Sequence, residues 1–468
     1  MRVLLVQPPS PGIYDFIGLK LPPLGLAYLA AMCRRNHTVT IVDLQVEEKK
    51  RFQEELARCD LVGITATTST FPEALNIAQE AKRAGRIVVM GGYHVTFQDE
   101  EALRSGFVDY VVRGEGEEIF ALLLEALENG TPLERIPGIS FLREGILMRT
   151  PSPLPPQDLD ALPFPARDLL KLSKYWMTQL EGEPLVSVIT SRGCPFACTF
   201  CASSSFSGRK WRARSPENIL RELEILYFDY GFRAVAFVDD NFTLHPERVE
   251  RLCEEIERKR LKFKWWCFSR ADTIVRHESL VKKMAKAGLR MVYLGLESAE
   301  KAILEDYGKQ LTTEVAKKAI DILRRYGVKS WGSFILGGLR ETKATVQKTI
   351  DFARKIRPDI VQFSLLTPFP GTALFDELKR EHRILHFSWS LFDGAHPVVQ
   401  LDALKPRELR RLLFRAYLEA YRGLHALPQL VQFAKKLCMV KIPFLSRMKE
   451  YLYLKERMGR ENPSFSLS

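Results

Sequence analysis

The sequence predicts an α/β protein in three parts: an N-terminal doubly wound parallel sheet, a second run of six β/α units, and a helical C-terminal region. Three observations predict it. Short apolar β-rich runs alternate with helical stretches over residues 1–130, and the alternation resumes with longer units over residues 181–400. Between them, residues 151–165 hold six prolines, Pro151, Pro153, Pro155, Pro156, Pro163 and Pro165, which can continue neither a helix nor a central strand. After about residue 400 the strand-like runs stop.

In the first part, Arg2–Gln7, Thr38–Asp43, Leu61–Thr65, Arg86–Met90 and Asp109–Val112 read as strands. Gly25–Cys33, Phe71–Ala84 and Glu117–Leu127 read as helices. This is a flavodoxin-like pattern, whose ligands bind beyond the carboxyl ends of the strands. The loops in that place are Thr65-Ala66-Thr67-Thr68-Ser69, Gly91-Gly92-Tyr93-His94 and Arg113-Gly114-Glu115-Gly116-Glu117. Their glycines and small polar groups suit close backbone approach to a large ligand. Residues 131–180 read as a connector with some structure near Gly138–Arg149. In the second part, strands are expected at Val186–Thr190, Ala234–Val238, Phe263–Phe268, Met291–Gly295, Ser330–Leu336 and Ile360–Leu366. Pro216 and Pro246 mark helix starts. Six such units predict a (β/α)6 partial TIM barrel, with its site at the carboxyl ends of the strands. Residues 401–468 read as a basic helical region.

Composition excludes several classes. Hydrophobic residues make up 46% and charged residues 27% of the 468, an ordinary globular mix. No run approaches the ~18 apolar residues of a membrane span, and Met1–Pro9 is too strand-like for a signal peptide, so a cytoplasmic setting is expected. The net charge is +12, and residues 401–468 carry 14 basic and 6 acidic residues, +8 of it. A basic face spread over the folded part, as a nucleic-acid binder needs, is not expected.

Eight cysteines are present, and three fall within eight residues: Cys194, Cys198 and Cys201 in Thr190-Ser191-Arg192-Gly193-Cys194-Pro195-Phe196-Ala197-Cys198-Thr199-Phe200-Cys201. The spacing is C-x3-C-x2-C, directly after the first strand of the second part. Three thiolates can bind three irons of a 4Fe–4S cluster and leave the fourth open for a small ligand. A structural zinc site would want a fourth Cys or His nearby, and the nearest is His245; a plain electron-transfer cluster would want four cysteines in register. Phe200, between two ligands, is placed to pack against the bound ligand or shield the cluster.

This motif resembles the signature of radical S-adenosylmethionine (SAM) enzymes, and other stretches resemble the subset with an N-terminal cobalamin-binding domain. They are Val112-Arg113-Gly114-Glu115-Gly116-Glu117, Gly91-Gly92-Tyr93-His94, Phe237-Val238-Asp239-Asp240-Asn241-Phe242, Gly295-Leu296-Glu297-Ser298, Phe334-Ile335-Leu336-Gly337-Gly338 and Thr367-Pro368-Phe369-Pro370-Gly371-Thr372. The group most similar in appearance contains the anaerobic magnesium-protoporphyrin ester cyclase, hopanoid-biosynthesis radical enzymes and cobalamin-dependent methylases. The resemblance implies that Cys194, Cys198 and Cys201 hold the cluster. Its open iron would bind SAM, and one electron, from a flavodoxin- or ferredoxin-type donor, would release a 5′-deoxyadenosyl radical that takes hydrogen from an unactivated carbon.

On the same reading, Asp239 and Asp240 face the methionine portion of SAM, Glu297 its ribose or a cationic partner, Arg270 a carboxylate, and Gly337 the adenine. The bland alternatives are a helix cap before Pro246, a salt-bridge acid and a simple turn. In the first part, Thr67, Gly91, Gly92, His94, Gly114 and Glu115 are the expected cobalamin contacts. The Asp-x-His-x-x-Gly motif of methylmalonyl mutases is absent, so that histidine cannot hold the cobalt; His94 is the alternative ligand or a hydrogen-bonding loop residue. A first part that binds nothing is the competing reading.

The expected activity is methyl transfer to a lipid-like or secondary-metabolite substrate. Oxidative cyclisation or rearrangement on the same scaffold is the alternative, and a non-catalytic iron–sulfur or corrinoid carrier the alternative of another class. Methylthiolation is disfavoured, since only Cys33 and Cys59 precede the barrel where that group uses three cysteines. Leu430–Met458, basic and amphipathic with Pro443 dividing it, is expected either to touch an anionic membrane face peripherally or to cap the barrel.

Overall fold

The computed structural model describes residues 1–10, 21–152, 154–175 and 180–421, and Met1–Ala416 form one compact unit. Strands β1 (Arg2–Gln7), β2 (Thr38–Asp43), β3 (Leu61–Thr65), β4 (Ile87–Gly91) and β5 (Tyr110–Val112) run parallel in the order β2-β1-β3-β4-β5. The apolar runs that predicted them are buried on both faces, as in Leu4, Leu5 and Val6, which keep at most 1% of their surface. The chain leaves β1 to one side for β2 and returns to the other side for β3. That reversal opens the crevice where such sheets take their ligands.

Helices Leu24–Cys33 and Glu117–Asn129 close one face, packing Leu26, Ala27 and Ala30 with Phe120, Leu123 and Leu124. The second ends at Gly130, whose φ of 69° makes the left-handed turn that glycine adopts without cost.

The stretch near Gly138–Arg149 is a hairpin, β6 (Ile139–Arg143) and β7 (Ile146–Arg149), added antiparallel to the edge of this sheet. Its two-residue turn, Glu144-Gly145, has φ of 51° and 79°, the double left-handed conformation of a tight hairpin. Glutamate is an unusual first residue there, which is why the turn does not announce itself in the sequence.

The second sheet is all parallel. Strand β8 (Leu185–Val188) leads through a two-stranded ribbon, β9 (Ser191–Arg192) with β10 (Arg212–Ala213), to β11 (Ala234–Phe237), β12 (Lys264–Ser269), β13 (Leu289–Glu297), β14 (Lys329–Leu336) and β15 (Ile360–Leu365). Each of the six parallel strands lies beside its sequence neighbour, in the order β8-β11-β12-β13-β14-β15. With right-handed crossovers and no reversal of direction, the helices fall on one face, and the other becomes the interior of a partial barrel. Trp266, Met291 and Trp331 fill that interior.

Among its described residues the proline-rich segment forms neither α-helix nor β-strand, and it is pinned: the Pro156 carbonyl accepts from Arg212 at 2.8 Å and the Asp160 carboxylate from the Ser215 N–H at 2.9 Å, and the chain just past it is anchored too. Arg167 donates to Glu222 at 2.5 Å and to the Ser187 carbonyl at 2.8 Å, while Arg214 bonds the other Glu222 oxygen. All three side chains are buried. Among the described residues no helix is long and apolar enough to cross a membrane. The amphipathic stretch Leu430–Met458 lies outside the described residues.

Candidate functional site

The three cysteines sit on a braced loop at the carboxyl end of β8. Gly193 has φ of 84°, and a Cβ there would lie 2.1 Å from the Lys210 carbonyl oxygen and 2.7 Å from Ser207 Cβ, so only glycine fits before Cys194. Past it, the Cys201 N–H donates to the Cys198 carbonyl at 3.1 Å, and Ser204 Oγ donates to the carbonyls of Cys194 and Phe196. The Thr199 N–H donates to the Tyr307 carbonyl at 3.1 Å and its hydroxyl to the Asp306 carbonyl at 3.0 Å. The three thiols are half-buried and unbridged. Burial pushes the Cys201 thiol up to about 11 and raises Cys194 as well, so deprotonation needs a nearby cation. Among the described residues no three His, Cys, Asp or Glu side chains converge on a single ion.

Around this loop the structure sorts the predicted residues. Asp239 is fully buried and accepts from the Thr190 N–H at 2.6 Å, the Thr190 hydroxyl and the Ser191 hydroxyl at 2.6 Å. It ties the end of β11 to the start of the cysteine loop, and its neighbour Asp240 is the one that faces open space. The Arg270 guanidinium lies 3.8 Å over the Phe196 ring and donates to Asp272 at 2.9 Å. It thus braces the loop between Cys194 and Cys198. Phe200 meets the Tyr307 ring edge-on at 5.1 Å.

Glu297, at a bulge in β13, is buried, pairs with Lys309 and holds φ at 60°. A non-glycine residue there carries backbone strain. Gly337 donates its N–H to Glu341, as does Gly338 at 2.9 Å; burial pushes the Glu341 carboxyl up to about 7.

Beside the cysteine loop, a cleft opens at the carboxyl ends of β1, β3, β4 and β5. Gly91, Gly92, Gly114 and Glu115 line it, with Arg192, Gly193 and Asp240 on the barrel side. It deepens along Leu5, Gly63, Ile64 and Val89 into an apolar slot. Tyr93 stands in the cleft, exposed on one side and packed on Phe206 at 4.3 Å on the other. Two predicted residues stay outside. Thr67 turns its hydroxyl to Thr70 at 2.9 Å. His94 is buried between Phe71 and Trp389, 3.4 Å from the Thr68 hydroxyl, and desolvation lowers it to about 3, a neutral core histidine.

Comparison with known proteins agrees with both halves. A Radical SAM superfamily model matches residues 188–353 and a B12 binding domain model residues 13–124. An uncharacterized methyltransferase of Pyrococcus horikoshii is 38% identical over 434 residues, 90% of this chain and 92% of that protein. The anaerobic magnesium-protoporphyrin IX monomethyl ester cyclase of Rubrivivax gelatinosus is 30% identical over 87% of this chain and 75% of its own. The chain belongs to the B12-binding radical SAM superfamily. The radical SAM methyltransferase TsrM from Kitasatospora setae, solved with cobalamin and a 4Fe–4S cluster, shares the fold at a TM-score of 0.68 and 21% identity, over 88% of this chain and 84% of that one.

A radical SAM enzyme of this kind uses a 4Fe–4S cluster, SAM and cobalamin, and the residues present fit that set. The loop offers three thiols with constrained backbone, and the cleft offers a glycine-lined, largely apolar cradle next to it. Sequence reasoning missed Tyr28, Tyr93, Ser203 and Phe206 on the cleft wall, and Lys309 as the partner of Glu297. Tyr93 lay inside a motif already singled out. Ser203 and Phe206 directly follow Cys201, so the short helix Ala202–Phe206 could have been weighed as cleft wall.

Proposed function

We propose that this radical SAM enzyme transfers a methyl group to an unactivated carbon of a small, lipid-like or secondary-metabolite substrate. The observation that carries the reading is the adjacency of the cysteine loop and the glycine-lined cleft, which share Arg192, Gly193 and Asp240 as a common wall. When bound, the cluster and SAM supply a carbon-centred radical, and cobalamin supplies a methyl group.

In this reading the first sheet, residues 1–130 with the edge hairpin Ile139–Arg149, holds cobalamin, the proline-rich segment after it leads to residues 181–400, which carry the radical chemistry, and 401–468 are the basic C-terminal region. Cys194, Cys198 and Cys201 hold the cluster. Arg270, stacked on Phe196, and Asp239, bonded to Thr190 and Ser191, keep the loop at the barrel mouth. Gly91, Gly92 and Gly114 admit the corrin to the strand ends, and the slot at Leu5, Gly63 and Val89 takes an apolar part of it. Among the described residues no histidine lines that cleft, and His94, buried between Phe71 and Trp389, supports the first sheet rather than the cobalt. Asp240 and the Glu297–Lys309 pair are the polar groups offered to SAM. Aromatic and apolar walls exclude water from the radical.

The test is product analysis. Protein reconstituted anaerobically with iron, sulfide and hydroxocobalamin is given SAM, dithionite and candidate substrates. Methyl transfer forms S-adenosylhomocysteine beside 5′-deoxyadenosine. The relationship to the magnesium-protoporphyrin ester cyclase favours a second reading, oxidative cyclisation, which forms 5′-deoxyadenosine alone.

A further inference from the structure

Two arginines that flank the cysteine loop reach across to the first sheet. Arg192 lies two residues before Cys194, and Arg212 pairs with it in the ribbon. Arg192 Nη1 donates to Glu115 Oε2 at 2.8 Å and its Nη2 to Glu117 Oε1 at 2.7 Å. Arg212 Nη1 donates to Glu115 Oε2 at 3.1 Å and to the Pro156 carbonyl at 2.8 Å, and its Nη2 bonds Glu115 Oε1. Each of the four side chains keeps 12% or less of its surface. Glu115, Glu117 and Arg192 are also wall residues of the cleft, and the Arg192 guanidinium lies 5.2 Å over the ring of Tyr28, another wall residue.

The placement matters more than the charge balance. A forked guanidinium held by two carboxylates fixes direction as well as distance. Between Arg192 and Cys194 stands only Gly193, whose left-handed φ of 84° leaves no room for a Cβ beside the Lys210 carbonyl, so the anchored arginine and the first cysteine are joined by one tight turn. Whatever shifts the loop Gly114–Glu117, which lines the cleft, therefore pulls on the first cysteine.

We propose that Arg192 and Arg212 are positioning residues that, through Glu115 and Glu117, register the cysteine loop against the cleft, so that corrin in the cleft tightens SAM binding at the cluster. The inference rests on the reading of the cleft as the corrin site and of the loop as the cluster site. Coupling of this kind is reciprocal: SAM must tighten corrin binding by the same factor.

The experiment compares the full-length protein with Glu115→Gln, Glu117→Gln and Arg192→Lys. Each is reconstituted with iron and sulfide, with and without hydroxocobalamin. Iron and corrin content are measured first. SAM affinity is then read from the change it causes in the electron paramagnetic resonance signal of the reduced cluster. The wild type should bind SAM about 5-fold or more tightly with corrin present. In Glu115→Gln, with iron and corrin content retained, that ratio should fall toward one, and Glu117→Gln and Arg192→Lys should lie between. A wild-type ratio of one, or variants that keep the full ratio, overturns the proposal. Loss of iron or of corrin in all three variants marks the network as a fold stabiliser or a direct corrin contact rather than a coupling device, and also overturns it. A wild type that takes up no iron or no corrin overturns the underlying reading instead, and the content measurement separates the two failures.

Discussion

Replacing Glu222 by Gln should cost this protein about 3–5 kcal/mol. The magnitude follows from the setting. Glu222 keeps 1% of its surface and stands between Arg167 and Arg214, whose side chains each keep 4%. The two guanidiniums hold its carboxyl below the usual range despite complete burial. The amide leaves two buried cations facing one neutral group, and a cation without its counter-charge keeps its desolvation penalty. At about 1.36 kcal/mol per tenfold change, that raises the unfolded fraction by roughly 10²–10⁴.

The sign with pH follows from the lowered pKa. The stabilisation is present above the unfolded carboxylate pKa and is lost as pH falls through the lower folded value. The assay is urea unfolding of the two proteins from pH 3 to pH 8, read by circular dichroism. A change under 1 kcal/mol at pH 7 with an unchanged denaturant slope, or a difference between the proteins that does not shrink in acid, would refute the reasoning.

Three further outcomes are expected. Gly193→Ala puts a Cβ 2.1 Å from the Lys210 carbonyl oxygen, so iron content after reconstitution should drop several-fold while circular dichroism stays near wild type. Glu341, pushed up to about 7 by burial, holds its proton more tightly folded than unfolded, so stability should fall by roughly 3 kcal/mol between about pH 4.5 and pH 7; Glu341→Gln should flatten that slope in pH-dependent urea unfolding. Gly91 lines the cleft and a Cβ there has only ordinary contacts, 3.6 Å to the Val112 carbonyl oxygen, so Gly91→Leu should cut retained corrin absorbance after desalting while leaving iron content unchanged.

Much of the fold was legible because β1–β5 and the whole second sheet are parallel and buried, so those strands appear as short apolar runs punctuated by helices. Strand limits such as Met291–Gly295 against the observed Leu289–Glu297 differ by two residues at each end, where pairing rather than pattern decides. The cysteine loop was legible from spacing alone. Asp239 and Asp240 follow β11, but which one faces the cleft depends on the Thr190 and Ser191 hydrogen bonds, set by residues about 49 positions away. His94 sat in a glycine-rich loop and read as a ligand contact; Trp389, almost three hundred residues on, closes it into the core. Arg192 was inside the quoted motif, yet its partners Glu115 and Glu117 are 77 and 75 residues distant, beyond any local pattern.

The central claim is that three thiols on one braced loop carry a redox cluster that cleaves SAM. Wild-type and Cys198→Ala protein, both reconstituted anaerobically, should be incubated with SAM and dithionite and assayed for 5′-deoxyadenosine. Formation by the wild type and its abolition in the variant, with unfolding curves otherwise matched, is the predicted result. A wild type that binds iron yet forms no 5′-deoxyadenosine, or a variant that forms as much, contradicts the account.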